Sequence, residues 1–329
     1  MDRVTTGIVS AACHFPQQRR SARELFAEEG LGLSPDTAAR LGIEEVPLCT
    51  GHQGSELAVA ASLEALARAN VSGADVDVVV DYTIWPQKWM VPVWNMSGEV
   101  QKAVGAEKAF TVGFSGGGAT NFLVAINFAA AMLEADEKMK YALLVAGDVT
   151  IPGNRVLNPE DPVSIMGDGG SAVLLQRDAG RAVLGTELLS NGANHDAYYI
   201  PGGCLVNPED PALYRMVLDK SRYDGAPKAS AMLDQARRVL DQAGLKLEDV
   251  KYVVYPNISA EDQKAFREAF GLSPRQICTS NLKTHGHVQG NDLVLNYLSL
   301  AEGDVREGDY ILMCSHGMGF LAGVSLIRI

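Results

Sequence analysis

The chain carries one helix–loop–strand pattern twice, and this repetition constrains its fold more than any single motif. Residues 64–80 (EALARANVSGADVDVVV) and 238–254 (RVLDQAGLKLEDVKYVV) are related by a shift of 174 positions. The shift superposes Leu66 on Leu240, Ala69 on Ala243, Asp75 on Asp249 and Val76 on Val250. Each copy reads as an amphipathic helix, a short acidic loop and a β-branched run. Two further pairs follow in the same order: GEVQKAVGAEKAFTV (98–112) with KAFREAFGLSPRQIC (264–278), and KYALLVAGD (140–148) with DYILMCSHG (309–317). The offsets vary, 166 for Gly105 to Gly271 and 169 for Tyr141 to Tyr310, but the order holds. Duplication accounts for three ordered pairs better than chance does.

Strand patterns alternate with helical ones throughout, which predicts an α/β architecture with helices packed on sheets. Strands are expected at 4–11, 76–83, 109–113, 141–147 and 171–176, then at 182–189, 252–256, 276–280, 310–315 and 321–328. The helix expected at 119–134 (ATNFLVAINFAAAMLE) is apolar almost all round, so it should run through the centre of the fold. The polar stretch 202–230, with Pro208, Pro211 and Pro227, reads as an inserted cap or loop.

Charge and cysteine usage remove several classes of function. A net charge of −12 with no Lys/Arg cluster speaks against a nucleic-acid partner. The N-terminus lacks an h-region and the apolar run 122–133 is too short for a bilayer, so no membrane association and a cytoplasmic location are expected. Five scattered cysteines without a CxxC pair indicate neither a metal site nor a disulfide framework.

Three glycine-rich segments carry the chemistry. In Phe110-Thr-Val-Gly-Phe-Ser115-Gly-Gly-Gly118 a strand ends, a turn follows and the buried helix begins. A nucleophile there would feel the free N–H groups and positive end of the helix. Locally, Ser115 reads equally well as part of a Ser-Gly connector. In Thr284-His-Gly-His287-Val-Gln-Gly-Asn-Asp292, His287 and Asp292 are five positions apart, a spacing that lets a carboxylate fix an imidazole tautomer. Helix capping by Asn291 or Asp292 explains the same residues, and His285 rivals His287 as a base. Ser315-His-Gly-Met-Gly319 is a turn between two strands that can also present a backbone N–H to an oxyanion.

Taken together, SELAVAASLEALARANVSGADVDVVV, VQKAVGAEKAFTVGFSGGG, YALLVAGDV, MGDGGSAVLL and the terminal SHGMGFLAGVSLIRI resemble the thiolase superfamily, specifically its ketoacyl-ACP synthase III-like branch. The resemblance covers nearly the whole chain. It implies the thiolase fold, a five-layered αβαβα arrangement of two pseudo-symmetric halves, 1–175 and 176–329, usually as a homodimer. The nucleophile belongs to the first half, and the His and Asp to the second.

The departures from that family matter as much as the matches. A Cys nucleophile normally begins the buried helix, where the motif here points to Ser115; an engineered Cys→Ser change would look the same. The decarboxylation His of a Pro-His-Gln-Ala-Asn stretch is replaced by Asn257 in Pro256-Asn-Ile-Ser-Ala260, and Gly286-His287 stands where a Gly-Asn is usual. Gly-His287-Val-Gln-Gly-Asn-Asp292 is similar instead to acyltransferases and starter-unit enzymes with a Cys/Ser-His-Asp triad. That likeness implies Ser115 as nucleophile, His287 as general base, Asp292 as its orienter, and the backbone N–H groups of Ser115 and Gly319 as the oxyanion hole. A shifted register puts Ala119 in the nucleophile position and implies a silent subunit. Trp85 and Trp94, with Met90 and Asn257, are candidates for binding the acyl substrate, whereas His195 and Cys204 read as structural.

The function implied is an acyltransferase of polyketide, fatty-acid or other secondary metabolism. It would move an acyl group from a CoA or carrier-protein thioester through Ser115 to an acceptor, with no cofactor beyond the thioester substrate itself. A starter-unit ketosynthase and a catalytically silent thiolase-fold partner are the alternatives.

Overall fold

The computed structural model describes residues 5–329 except 52, 86–87, 89–93, 204–206, 208, 220, 222–227, 302 and 318–319. The nine long strands fall into two sheets. The first holds Thr6–His14 (β1), Val78–Asp81 (β2), Phe110–Gly113 (β3), Tyr141–Asp148 (β4) and Gly169–Arg177 (β5), in the order β1-β5-β4-β2-β3. The second holds Val183–Ser190 (β6), Val250–Val254 (β7), Tyr310–His316 (β8) and Leu321–Arg328 (β9), in the order β6-β9-β8-β7. Directions match as well as order. In each sheet the first three strands run antiparallel to one another and the next pairs in parallel.

The helices repeat in the same way. Gly54–Ala69 (α1) and Lys228–Ala243 (α4) precede β2 and β7, and each bound of α4 lies 174 residues after that of α1. Met96–Val104 (α2) and Ala260–Phe270 (α5) both end at a glycine in the left-handed region, Gly105 and Gly271. Asn121–Ala135 (α3) and Asn291–Ala301 (α6) complete the pairs. One expected strand is absent: 276–280 contributes only an isolated parallel bridge between Ile277 and Val253. The second sheet therefore lacks the counterpart of β3. The polar stretch 202–230 contributes, among its described residues, the short strand Val217–Leu218 paired with Tyr198–Tyr199.

Alternation along the strands sorts the core into layers. Ala142, Leu144 and Ala146 of β4 face inward against Phe122, Ile126 and Leu133 of α3, while Leu143 and Val145 face α1 and α2. In the second sheet Ile311 and Met313 face α6, and Leu312 and Cys314 face α4 and α5. The layers are thus two outer helices, a sheet, the central pair α3 and α6, a sheet, and two outer helices: the αβαβα order of the thiolase fold. Gly118–Ala135, 18 residues, is long and apolar enough to cross a membrane. Its position between two sheets accounts for that apolarity.

Candidate active site

The N-terminal ends of the two central helices meet at a cavity of 410 Å³, and each end carries one of the glycine-rich segments. Its walls are mainly apolar, with Leu41, Ile84, Leu157, Ile258 and Phe320 among them. Its polar groups include His287, Gln289 and His316 from the second half and Arg40 from the first, and Ala119 also lines it. A cavity of this size and lining suits an apolar ligand oriented by a few polar contacts.

His287 is fixed before its side chain is considered. Its N–H donates to Ile165 O (3.0 Å), and its C=O accepts from Gly167 N (3.1 Å). Gly286 makes this possible at φ 59° and ψ −148°, a region open essentially to glycine alone, and a Cβ there would stand 2.6 Å from Ile165 O. The imidazole Nδ1 then lies 2.5 Å from Asp292 Oδ2, both side chains being buried. Asp292 also accepts from Val288 N and Asn257 N, each at 2.8 Å. A carboxylate only accepts, so the Nδ1 hydrogen sits on the ring and Nε2 keeps the lone pair.

His285, the rival base, lies elsewhere. Its ring packs edge-on against Phe15 at 4.7 Å, its Nδ1 contacts Thr284 Oγ1, and burial with Arg19 nearby pulls it down to about 4.

On the other wall the helix begins later than its glycine run suggests. Asn121 Oδ1 accepts from Gly117 N (2.9 Å), and Thr120 N bonds to Gly117 O, so α3 is preceded by a 3₁₀ turn at Gly118–Thr120. Gly118 and Ala119 precede that first turn bond, so their amides are the donors that a helix start leaves over. The β8–β9 connection packs against this turn closely enough that a Cβ on Gly317 would meet Gly117 O at 2.0 Å. Thr120 Oγ1 also donates to Leu321 O across the same junction.

The structure sorts the sequence candidates. It brings His287 and Asp292 together, with Ala119 on the cavity wall. Ser115, the expected nucleophile, is exposed and does not line the cavity, whereas Ala119 does. The physical reason is Asn121, which caps Gly117 and starts the helix there. Gly319, the other oxyanion candidate, and Met90 and Cys204 lie outside the described residues.

Asn257 is fully buried and does not line the cavity; its amide is bonded to Asn296 and Gln263. Trp85 does not line the cavity; with the Gln289 amide turned to satisfy its neighbours, Trp85 Nε1 donates to the Gln289 amide oxygen at 2.8 Å, so it supports that residue rather than substrate. Trp94 packs on the outer helix layer, and His195 is exposed.

Gln289 and His316 are among the polar cavity residues that sequence did not single out. Gln289 holds a left-handed φ of 57°, rare for a side-chain-bearing residue and the kind of local cost that clusters at functional sites. His316 contacts Tyr255 OH through Nε2 at 2.9 Å. Behind the site, Asp148 Oδ1 accepts from Ile84 N and Trp85 N, and Asn291 Nδ2 donates to Oδ2. Burial pushes this carboxyl up to about 7, opposed by those two amides and helped by Asp81.

Known proteins resemble the chain over most of its length. Residues 117–192 match the family model for 3-oxoacyl-[acyl-carrier-protein] synthase III, and residues 240–329 match the model for its C-terminal part. The beta-ketoacyl-[acyl-carrier-protein] synthase III of Clostridium perfringens (strain SM101 / Type A) is 25% identical over 302 residues, 88% of this chain and 89% of that protein. Among solved structures, the 3-oxoacyl-(acyl carrier protein) synthase III of Pseudomonas aeruginosa PAO1 superposes with a TM-score of 0.82 at 22% identity, covering 98% of each chain. The acyltransferase ChlB3 gives 0.81 at 22% identity, covering 99% of this chain and 98% of that one. At these identities the two structures establish a shared fold.

Proposed function

Because the chain belongs to the ketoacyl-ACP synthase III-like branch of the thiolase superfamily, we propose that its cavity is the active site of an acyltransferase. The donor is a CoA or carrier-protein thioester, and the acceptor a hydroxyl, thiol or amine. The observation that carries this reading is the buried His287–Asp292 contact at the cavity wall. It leaves Nε2 of His287 as a base with a fixed tautomer, and removal of the acceptor's proton during attack is worth about 10²–10⁴-fold. The first-turn amides at Gly118 and Ala119 are suited to the oxyanion that forms on the carbonyl.

A methyl group offers no nucleophile, so with Ala119 on the wall the acceptor attacks the bound thioester directly. A second reading routes the acyl group through Ser115. Its support is the glycine-rich link to Ala119, in which Gly116 and Gly118 both have positive φ, conformations that glycine adopts and leaves readily, so a rearranged turn can re-aim the hydroxyl. The relatives are named beta-ketoacyl-[acyl-carrier-protein] synthase III, which suggests carbon–carbon condensation, but here Asn257 stands in place of the decarboxylation His and is tied into other amides. The role in polyketide or other secondary metabolism belongs to the same proposal.

The test is acyl transfer from labelled acyl-CoA and acyl-carrier-protein panels to small thiol, alcohol and amine acceptors, comparing wild type with His287→Gln. Transfer that falls at least 100-fold in the variant, with no carbon dioxide released from a malonyl donor, is the expected result. Carbon dioxide release would favour condensation instead. An inert wild type would point to a silent partner subunit.

A further inference from the structure

A second imidazole enters the same cavity from β8, and it too is held by a carboxylate, although at one remove. His316 is buried, lines the cavity, and approaches Tyr255 OH through Nε2 at 2.9 Å. Tyr255 in turn donates to Asp262 Oδ2 at 2.8 Å, and Asp262 Oδ1 lies 3.9 Å from the His316 ring. The phenol has one hydrogen, and it is given to Asp262. Its oxygen therefore accepts from His316, which fixes a hydrogen on Nε2 of that ring. Tyr255 cannot swing away, because its ring stacks on Phe266 with centroids 3.8 Å apart and planes 9° from parallel. Burial and the neighbouring Asp262 hold the phenol protonated well above its usual range, so it bridges as a neutral group.

We propose that His316 is a second acid–base residue of this cavity, protonating the departing sulfur while His287 takes the proton of the attacking acceptor. The inference rests on the acyl-transfer reading above and extends it. A covalent relay lets one histidine act as base and then as acid, since acceptor and leaving group are never present together. Direct transfer brings both together and calls for two groups. The acceptor heteroatom forms its bond to the carbonyl carbon, the carbon–sulfur bond breaks, and its electron pair leaves on sulfur. The acceptor's proton passes to Nε2 of His287, and the doubly protonated His316 gives one to sulfur. One proton returned from His287 to His316, through water, resets the site. Tyr255 and Asp262 are positioning residues that stabilise the cationic ring.

The experiment varies the leaving group. Octanoyl-CoA and the S-4-nitrophenyl thioester of octanoic acid are compared as donors to N-acetylcysteamine, with the octanoyl product followed by mass spectrometry. An aryl thiolate gains little from a proton as it leaves; the more basic alkyl thiolate of CoA gains much more. His316→Gln should lose about 100-fold with the CoA donor and less than about 5-fold with the aryl one. Tyr255→Phe, which keeps the stack on Phe266, should repeat the pattern more weakly. His287→Gln should slow both donors alike. Equal losses with both donors, or no loss with either, in His316→Gln and Tyr255→Phe would overturn the proposal. A wild type inert toward both donors would overturn the acyl-transfer reading, and this proposal with it.

Discussion

Nδ1 of His287 and Oδ2 of Asp292 stand 2.5 Å apart, and the same carboxylate also holds the amides of Val288 and Asn257. The pair is therefore both a hydrogen-bonded base and a junction between the β7 exit and the start of α6. Asp292→Asn sets these roles against each other. An amide turned to keep Nδ1–H faces a backbone N–H with its own NH₂ group; turned the other way, it moves the ring hydrogen to Nε2. The expected outcome is a kcat lower by about 10²–10⁴-fold with KM changed much less. A buried unsatisfied donor should also cost about 1–3 kcal/mol on denaturant unfolding. Steady-state kinetics and a urea titration of the same preparation read the two effects separately.

Asp148 links the site to pH. Its folded value is raised to about 7 by burial, whereas an unfolded aspartate titrates near 3.9. The folded state therefore binds more protons between these values. The stability this group contributes is present below about pH 4 and is lost as pH rises through about 7, a change on the order of 4 kcal/mol. Thermal unfolding from pH 4 to 8 checks this by difference. The stability of the wild type relative to Asp148→Asn should fall across that window, and a flat difference would refute the assignment.

The edge strand β3 predicts assembly. Among the described residues no strand pairs with its outer side, and Phe110 is 52% exposed. An open edge bearing a large apolar side chain is a pairing surface. Light scattering should return twice the 35.1 kDa chain mass for the wild type and the single mass for Phe110→Asp.

Much of this architecture was legible because duplication leaves its mark on local pattern. The offset of 174 residues read from Leu66 and Leu240 relates both bounds of α1 to those of α4. His287 and Asp292 were legible for a similar reason: they are five residues apart, and Gly286 and Gly290 allow the turn between them.

What sequence could not settle was decided by contacts over longer range. Three consecutive glycines leave the start of α3 free to slide, and the choice falls to Asn121 on Gly117 and to Gly317 pressed against the same peptide. Sequence favours Ser115 because Gly117 two residues on and the apolar spacing at Phe122 and Ala125 fit that register. His316 was passed over because Ser-His-Gly-Met-Gly reads as a turn. Its partners Tyr255 and Asp262 lie 61 and 54 residues away and reach it only through the packing of β7 and α5 on β8.

On the proposed reading the acyl group passes directly from thioester to acceptor in a cavity lined by Ala119 and not by Ser115. Intact-protein mass spectrometry, on wild type and Ser115→Ala turning over an acyl-CoA that supports transfer, tests it most directly. Direct transfer leaves both samples at unmodified protein mass during turnover, with rates within about 3-fold of each other. An increment of one acyl group on the wild type, absent from Ser115→Ala together with activity, would contradict it and restore Ser115 as the nucleophile.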